Sequence, residues 1–171
     1  DDCRIFEFNG DVWFTCTTTD TNPYHKFQIS LSKLDDLNED KIASVEKIIP
    51  LIGPDHHRNE KNWLPFILND SLYAIYSYDP LIVYKPDIET GNCETVFQYT
   101  PKHDFSNFRG SAAPIKFDEG YLIIVHEVQD NQARQYLHRF VYLNENFVIE
   151  KVSKPFIFRK LGIEFVCGMT L

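Results

Sequence analysis

Small or polar residues alternate with large apolar ones along much of this chain, the period of half-buried strands rather than of helices. Ser71-Leu72-Tyr73-Ala74-Ile75-Tyr76-Ser77-Tyr78 shows the alternation most clearly, and it follows Trp63-Leu64-Pro65-Phe66-Ile67-Leu68 across the polar turn Asn69-Asp70. Strand, tight turn, strand is the pattern of a β-hairpin. The same grammar runs from Asp2 through the turn Asn9-Gly10 to Thr17, and from Arg109 through Asp118-Glu119-Gly120 to Glu127. A further copy begins at Ile163-Glu164-Phe165-Val166. Antiparallel units recurring about every fifty residues predict a β-propeller.

Between these hairpins the chain supplies partner strands. A third strand is expected over His25 to Leu34, with Phe27, Ile29 and Leu31 on one face. Lys41 to Leu51 reads as an outer strand with Val45, Ile48 and Ile49 packed beneath it, an amphipathic helix being the other reading of that segment. Short strands follow at Leu81 to Tyr84, Glu94 to Tyr99, Arg134 to Leu143 and Phe147 to Val152. The expected fold class is all-β: a single incomplete β-propeller domain over 1–171, with blades at 1–53, 54–103 and 104–158 and the start of another at 159–171. Helix content should be very low. Three blades cannot close a ring that takes about four to eight, and the chain lacks an initiator Met, so a fragment or processed chain is expected.

Composition narrows the class. With 171 residues, 43% of them hydrophobic, one compact domain would bury roughly 70% of its unfolded surface. The longest apolar run, Tyr121 to Val125, is far short of the roughly 20 residues of a membrane span. A net charge of −8 with scattered basic residues argues against nucleic-acid partners, which require clustered Lys and Arg. Cys3, Cys16, Cys93 and Cys167 have no CxxC spacing, which supports neither a zinc ribbon nor a dithiol redox motif and suggests free thiols in a reducing, cytoplasmic setting. One sequon, Asn69-Asp70-Ser71, lies on a hairpin turn and leaves secretion open.

The hairpins begin with polar residues: Asp2 and Arg4, then Glu60, Lys61 and Asn62, then Arg109, then Glu164. His126 and Glu127 end the second strand of the third hairpin. Carboxylates mixed with cations suit glycosidic chemistry, in which an acid protonates the departing oxygen while cations hold an anionic partner. The same charges also read as solvated strand ends or ion pairs between sheets, each worth little. Trp13, Tyr76, Tyr78, Tyr84 and Trp63 offer flat faces for sugar rings; most aromatics at strand periodicity are core, one or two are expected to serve, and Trp63, beside Lys61, is the first choice. Asp55-His56-His57 contains metal-ligand types, but neighbouring side chains of an extended loop point apart, so no metal is expected. His138 reads as a hydrogen-bonded strand residue and His103-Asp104 as a surface pair.

These residues carry a resemblance. Asp1-Asp2-Cys3-Arg4 resembles the Glu-Asp-Pro-Arg signature of family 130 of the glycoside hydrolases, the mannoside phosphorylases and related mannosidases, which are five-bladed propellers. Lys61-Asn62 resembles that family's Lys-Asp, Gly110-Ser111-Ala112-Ala113-Pro114 its Gly-Ala-Pro-Pro, and Val125-His126-Glu127 its Tyr-His-Gly. Lys61-Asn62-Trp63-Leu64-Pro65-Phe66 and Arg109-Gly110-Ser111 also resemble a propeller branch found beside glycosyltransferase modules.

The resemblance implies Asp2 as general acid, with Arg4, Lys61, Asn62, Trp63, Arg109, His126 and Glu164 around sugar and phosphate. The implied function is cleavage of mannosides or related glycosides by phosphorolysis or hydrolysis. The alternative is a non-catalytic glycan-binding or scaffolding propeller beside a glycosyltransferase. The implied partner is a saccharide, with no cofactor beyond inorganic phosphate as co-substrate. Cys3 stands where the family has Pro, Asn62 where it has an acid, and Glu127 where it has Gly. The last change places negative charge beside His126, which favours water or a neutral sugar over phosphate.

Overall fold

The computed structural model describes residues 2–35, 44–130 and 133–171, and among them it contains twelve strands and no helix. No helix is therefore long and apolar enough to cross a membrane. The strands form three four-stranded antiparallel sheets.

The first sheet has the order β1-β2-β3-β4, with β1 at Arg4–Phe8, β2 at Asp11–Thr18, β3 at Gln28–Asp35 and β4 at Ser44–Pro50. Its first hairpin closes on Asn9 and Gly10, both at positive φ (54° and 79°). Asparagine and glycine tolerate that region best, and two such residues turn a hairpin in step with strand twist. β3 is buried on both faces: Ile29 and Leu31 are 1% and 0% exposed, Ser30 and Ser32 0% and 1%. Its hydroxyls are bonded, Ser32 donating to the Lys47 carbonyl at 2.6 Å and Ser30 lying 2.8 Å from Thr18 Oγ1.

Two expectations fail here. β3 starts at Gln28 rather than His25, because the Phe27 backbone is engaged elsewhere: its carbonyl accepts from Glu60 N at 2.9 Å, its N–H donates to Asn59 Oδ1 at 3.0 Å. β4 is an edge strand on which only Ile49 is buried, while Val45 and Ile48 are 49% and 54% exposed. The strand reading of that segment holds from Ser44 onward; the start expected at Lys41 lies outside the described residues.

Past β4 the backbone is stitched to a distant loop. Leu51 N donates to Ile29 O and Ile52 N to Gly91 O, both at 2.8 Å, and Ile52 forms a parallel bridge with Asn92. The second sheet has the order β5-β6-β7-β8: β5 at Leu64–Leu68, β6 at Ser71–Tyr78, β7 at Leu81–Pro86 and β8 at Cys93–Tyr99. The Asn69-Asp70 turn between β5 and β6 is exposed, both residues at positive φ.

The third sheet has the order β12-β11-β10-β9, with β9 at Phe108–Phe117, β10 at Gly120–Asp130, β11 at Arg134–Leu143 and β12 at Ile149–Val152. β10 and β11 pair without a break from Tyr121↔Leu143 to Asp130↔Arg134, which sets His126 opposite His138. The β9–β10 register shifts around Ile124, so the bulge re-aims the side chains that follow it. Beyond β12, Phe156 and His138 exchange backbone hydrogen bonds at 2.8 and 2.9 Å, and Tyr136 N donates to Gly162 O at 2.9 Å. Residues 159–171, where a further sheet was expected to begin, contain no strand. A strand's unpaired N–H and C=O groups need a neighbour along their length, and single bonds to β11 do not supply one.

The chain divides into two compact units, Asp1–Ala74 with Tyr84–Val96, and Ile75–Val83 with Phe97–Leu171, and the boundary runs through the second sheet. Each has its own apolar core. Leu31, Leu51, Trp63 and Leu64 are at most 1% exposed in the first, and Ile75, Leu81, Ile123, Val125 and Leu143 are fully buried in the second. Each such side chain contributes about 1.5–3 kcal/mol.

Candidate functional site

The first unit holds the polar residues leading into β1 and β5. Asp2 has φ 56° and is half-exposed, and its backbone carbonyl accepts from Arg4 Nη1 at 3.1 Å. Arg4 is 2% exposed, so one arm of its guanidinium is committed to shaping the turn that carries the Asp2 carboxyl.

Before β5, Glu60 is 5% exposed. Its carboxylate accepts from Trp63 Nε1 at 3.2 Å, and Arg58 Nε lies 3.2 Å from its other oxygen. Gly53 makes room for it: a Cβ there would come within 3.2 Å of Glu60 Oε1. Trp63 is 1% exposed and tilts against Tyr84 with ring centroids 5.5 Å apart. Burial, and then the charge of Glu60, push the Tyr84 hydroxyl above its ordinary value. Lys61 turns its ammonium onto the Phe27 ring, 3.9 Å from the centroid, in cation–π range. Asn62 has φ 63°, the left-handed residue that reverses the chain into β5.

Trp63 is therefore core, and its face is covered by protein rather than offered to a sugar. Glu60, noted in the sequence only as one charge of a cluster, is the buried carboxylate that organises the turn. The signal was there, in Arg58, Glu60 and Trp63 within six positions, but an exposed charge cluster has the same appearance.

In the second unit, His126 is 2% exposed and its Nδ1 lies 2.8 Å from the hydroxyl of Ser111, itself fully buried. Tyr136 stacks on the imidazole at 4.5 Å and Phe165 meets its edge at 5.6 Å. The bulge before Val125 brings Ser111 of the Arg109-Gly110-Ser111 run onto this histidine. Glu127, on the opposite face of β10, pairs with Arg139 at 2.7 Å, and Arg139 also donates to Ser153 O at 2.9 Å. That pair walls a cleft of about 710 Å³ lined also by Tyr99, Lys102, His103 and Phe105.

Arg109 is exposed, and its Nη1 donates to the carbonyls of Ser106 and Phe108 at 2.6 and 2.8 Å. Glu164 accepts from the backbone N–H groups of Phe158, Arg159 and Lys160 at 2.9–3.3 Å. Those bonds hold its carboxyl below the usual range. Both side chains thus cap local backbone. Asp104 accepts from Ser106 N at 2.9 Å, while the His103 ring faces Phe105.

His138 is fully buried in β11 and is a hydrogen-bonded strand residue as expected, its backbone exchanging bonds with Phe156. Phe156 and Phe158 pack on its ring. In the first unit, His56 and His57 are exposed, the latter ring against Tyr24 at 4.0 Å. Among the described residues no three His, Cys, Asp or Glu are grouped to hold a metal.

A second cleft, of about 640 Å³ in the first unit, is lined by Phe8, Asp70, Lys85, Asp87 and Glu94 among others. Neither cleft is lined by Asp2, Arg4, Lys61, Arg109, His126 or Glu164.

No family model matches the chain. In sequence it is similar to β-mannosyltransferase 2 of Komagataella phaffii, 39% identical over 67 residues, which is 36% of this chain and 10% of that protein. It is also similar to β-mannosyltransferase 1 of the same yeast, 30% identical over 79 residues, 40% of this chain and 12% of that one. The chain thus spans about a tenth of the length of the curated relatives it matches.

In fold it is similar to a β-1,2-mannobiose phosphorylase from Listeria innocua in complex with β-1,2-mannobiose. The TM-score is 0.63 at 18% identity, over 98% of this chain and 50% of that one. An exo-1,5-α-L-arabinanase from a bovine ruminal metagenomic library follows, with TM-score 0.53 at 12% identity, over 88% and 58%. The chain shares the all-β fold of these carbohydrate-active enzymes.

Proposed function

We propose that this chain is part of a carbohydrate-active propeller that handles β-linked mannose, moving a mannosyl group between oxygen atoms. The observation that carries the reading is that two independent likenesses point to one sugar: local sequence similarity to β-mannosyltransferases and fold similarity to a mannobiose phosphorylase. Transfer to a sugar hydroxyl, to inorganic phosphate or to water differs only in the accepting oxygen. Each needs a proton delivered to the departing oxygen or taken from the arriving one.

In this reading the three sheets are consecutive blades, and Asp2 is the proton carrier. Asp2 is half-exposed while its backbone carbonyl is held by Arg4. No organic cofactor is required, and phosphate enters only as co-substrate in the phosphorolysis arm.

A second reading, a non-catalytic glycan-binding or scaffolding propeller beside a glycosyltransferase, draws support from the uses to which the charged residues are put. Arg4, Arg109 and Glu164 each spend bonds on nearby backbone, and Glu60 on Trp63.

The two separate on one experiment. The full-length protein is incubated with β-1,2-mannobiose and water, with the same sugar and phosphate, and with an activated mannosyl donor and acceptor. Turnover in any arm, reduced about 10²–10⁴-fold in Asp2→Asn, supports the enzyme. Absence of turnover in all three removes it, and sugar-dependent stabilisation without turnover then supports the binding module.

A further inference from the structure

We propose that Cys3 and Cys16 form a redox-active pair that closes into a disulfide across the first hairpin. This goes beyond the mannosyl-handling reading and does not depend on it.

The register sets the pair. β1 and β2 run antiparallel with Phe6 opposite Trp13, Ile5 opposite Phe14 and Arg4 opposite Thr15. β1 begins at Arg4, and continuing the register one step beyond Arg4↔Thr15 sets Cys3 opposite Cys16. Directly opposed residues project to the same side of a sheet, here the side of Ile5, which is 70% exposed. Opposed Cα atoms of an antiparallel pair lie about 4.5–5.5 Å apart, inside the span of about 4.4–6.8 Å that a disulfide bridges.

The remaining cysteines differ. Cys93 reaches toward the Gly91 carbonyl at 3.5 Å, and burial pushes its thiol up to about 12. Cys167 is exposed in the segment after the last strand.

Exposure assigns the roles. Cys3 is exposed and Cys16 half-buried, and the Cys16 thiol is raised by burial first and then by its neighbour. The Cys3 thiolate therefore attacks a sulfur of a low-molecular-weight disulfide such as oxidised glutathione, expelling one thiolate and forming a mixed disulfide. Cys16, losing its proton to solvent, then attacks the Cys3 sulfur and expels the second thiolate. Two protein thiols are oxidised by two electrons, and the oxidant is reduced to two thiols. The product ties the segment carrying Asp2 to β2 at the position where the resembled family has a ring-stiffened proline.

The test equilibrates the full-length protein with oxidised glutathione, alkylates the remaining thiols under denaturing conditions and maps tryptic peptides by mass spectrometry. The expected result joins the peptide ending at Arg4 to peptide 5–26, with Cys93 and Cys167 alkylated and no retained glutathione. In Cys16→Ser, glutathione should persist on Cys3. Bonds that involve Cys93 or Cys167 instead, a wild-type Cys3 that keeps glutathione while Cys16 is alkylated, or a Cys16→Ser variant as free of adduct as wild type would each overturn the proposal.

Discussion

Glu60 in the first unit and His138 in the second are both buried, at 5% and 0% exposure, yet their surroundings are opposite. The carboxylate has an indole N–H and a guanidinium against it, whereas the imidazole is packed against the Phe156 and Phe158 rings. A buried charge survives when bonded, and an imidazole buried among apolar rings is favoured in its neutral form. At Glu60 the polar energy therefore lies in contacts that mutation removes. At His138 it lies in a protonation state that pH removes.

The largest break in that contrast is Trp63→Ala, which empties the core position and leaves Glu60 without its indole donor. Loss of about 3–5 kcal/mol is expected in urea unfolding. A loss below about 1 kcal/mol would mean the ring is not core. Glu60→Ala isolates the polar part and should cost about 2 kcal/mol in the same assay.

On the other side, burial lowers the His138 pKa from its ordinary 6.5, with the backbone and charge of Glu164 and the Phe156 backbone opposing the shift. The folded value thus lies below the unfolded one, and between them the unfolded chain binds more protons. Stability is full above about pH 6.5 and declines as pH falls toward the folded value. Thermal unfolding from about pH 8 to about pH 5 should show that decline, and His138→Leu should flatten it. An unchanged slope in the variant would assign the effect to another group. The smallest effect is expected at the exposed edge: Ile48→Thr should change stability by less than about 0.5 kcal/mol.

The strands were legible because alternation survives wherever one face of a sheet meets the core. β11 was read at its observed ends, and the Asn9-Gly10 and Asn69-Asp70 turns stand where their left-handed residues require. What alternation cannot convey is which strand lies at an edge. Val45 and Ile48 are branched aliphatic residues like Ile29 and Leu31, but β4 has a neighbour on one side only. The charged residues were harder. Lys61, Arg109 and Glu164 look alike as unit heads, yet one lies on an aromatic ring and the other two cap backbone. Hydrogen bonds to main chain depend on loop conformation, which residue spacing does not encode. Trp63 was misjudged for a related reason: an aromatic beside a lysine looks accessible until the strand's facing is known.

The stitch between Ile52 and the loop before β8 has a consequence for sequence variation. Gly91 sits at φ 77°, and a methyl group on its α-carbon would overlap the carbonyl oxygen of Pro50. Backbone cannot yield there without losing the hydrogen bond that Gly91 accepts from Ile52. A library randomised at codon 91 and selected for folded protein should return glycine alone, so a loop that looks replaceable from its exposed neighbours Glu89 and Thr90 is fixed at one point by the absence of a single carbon.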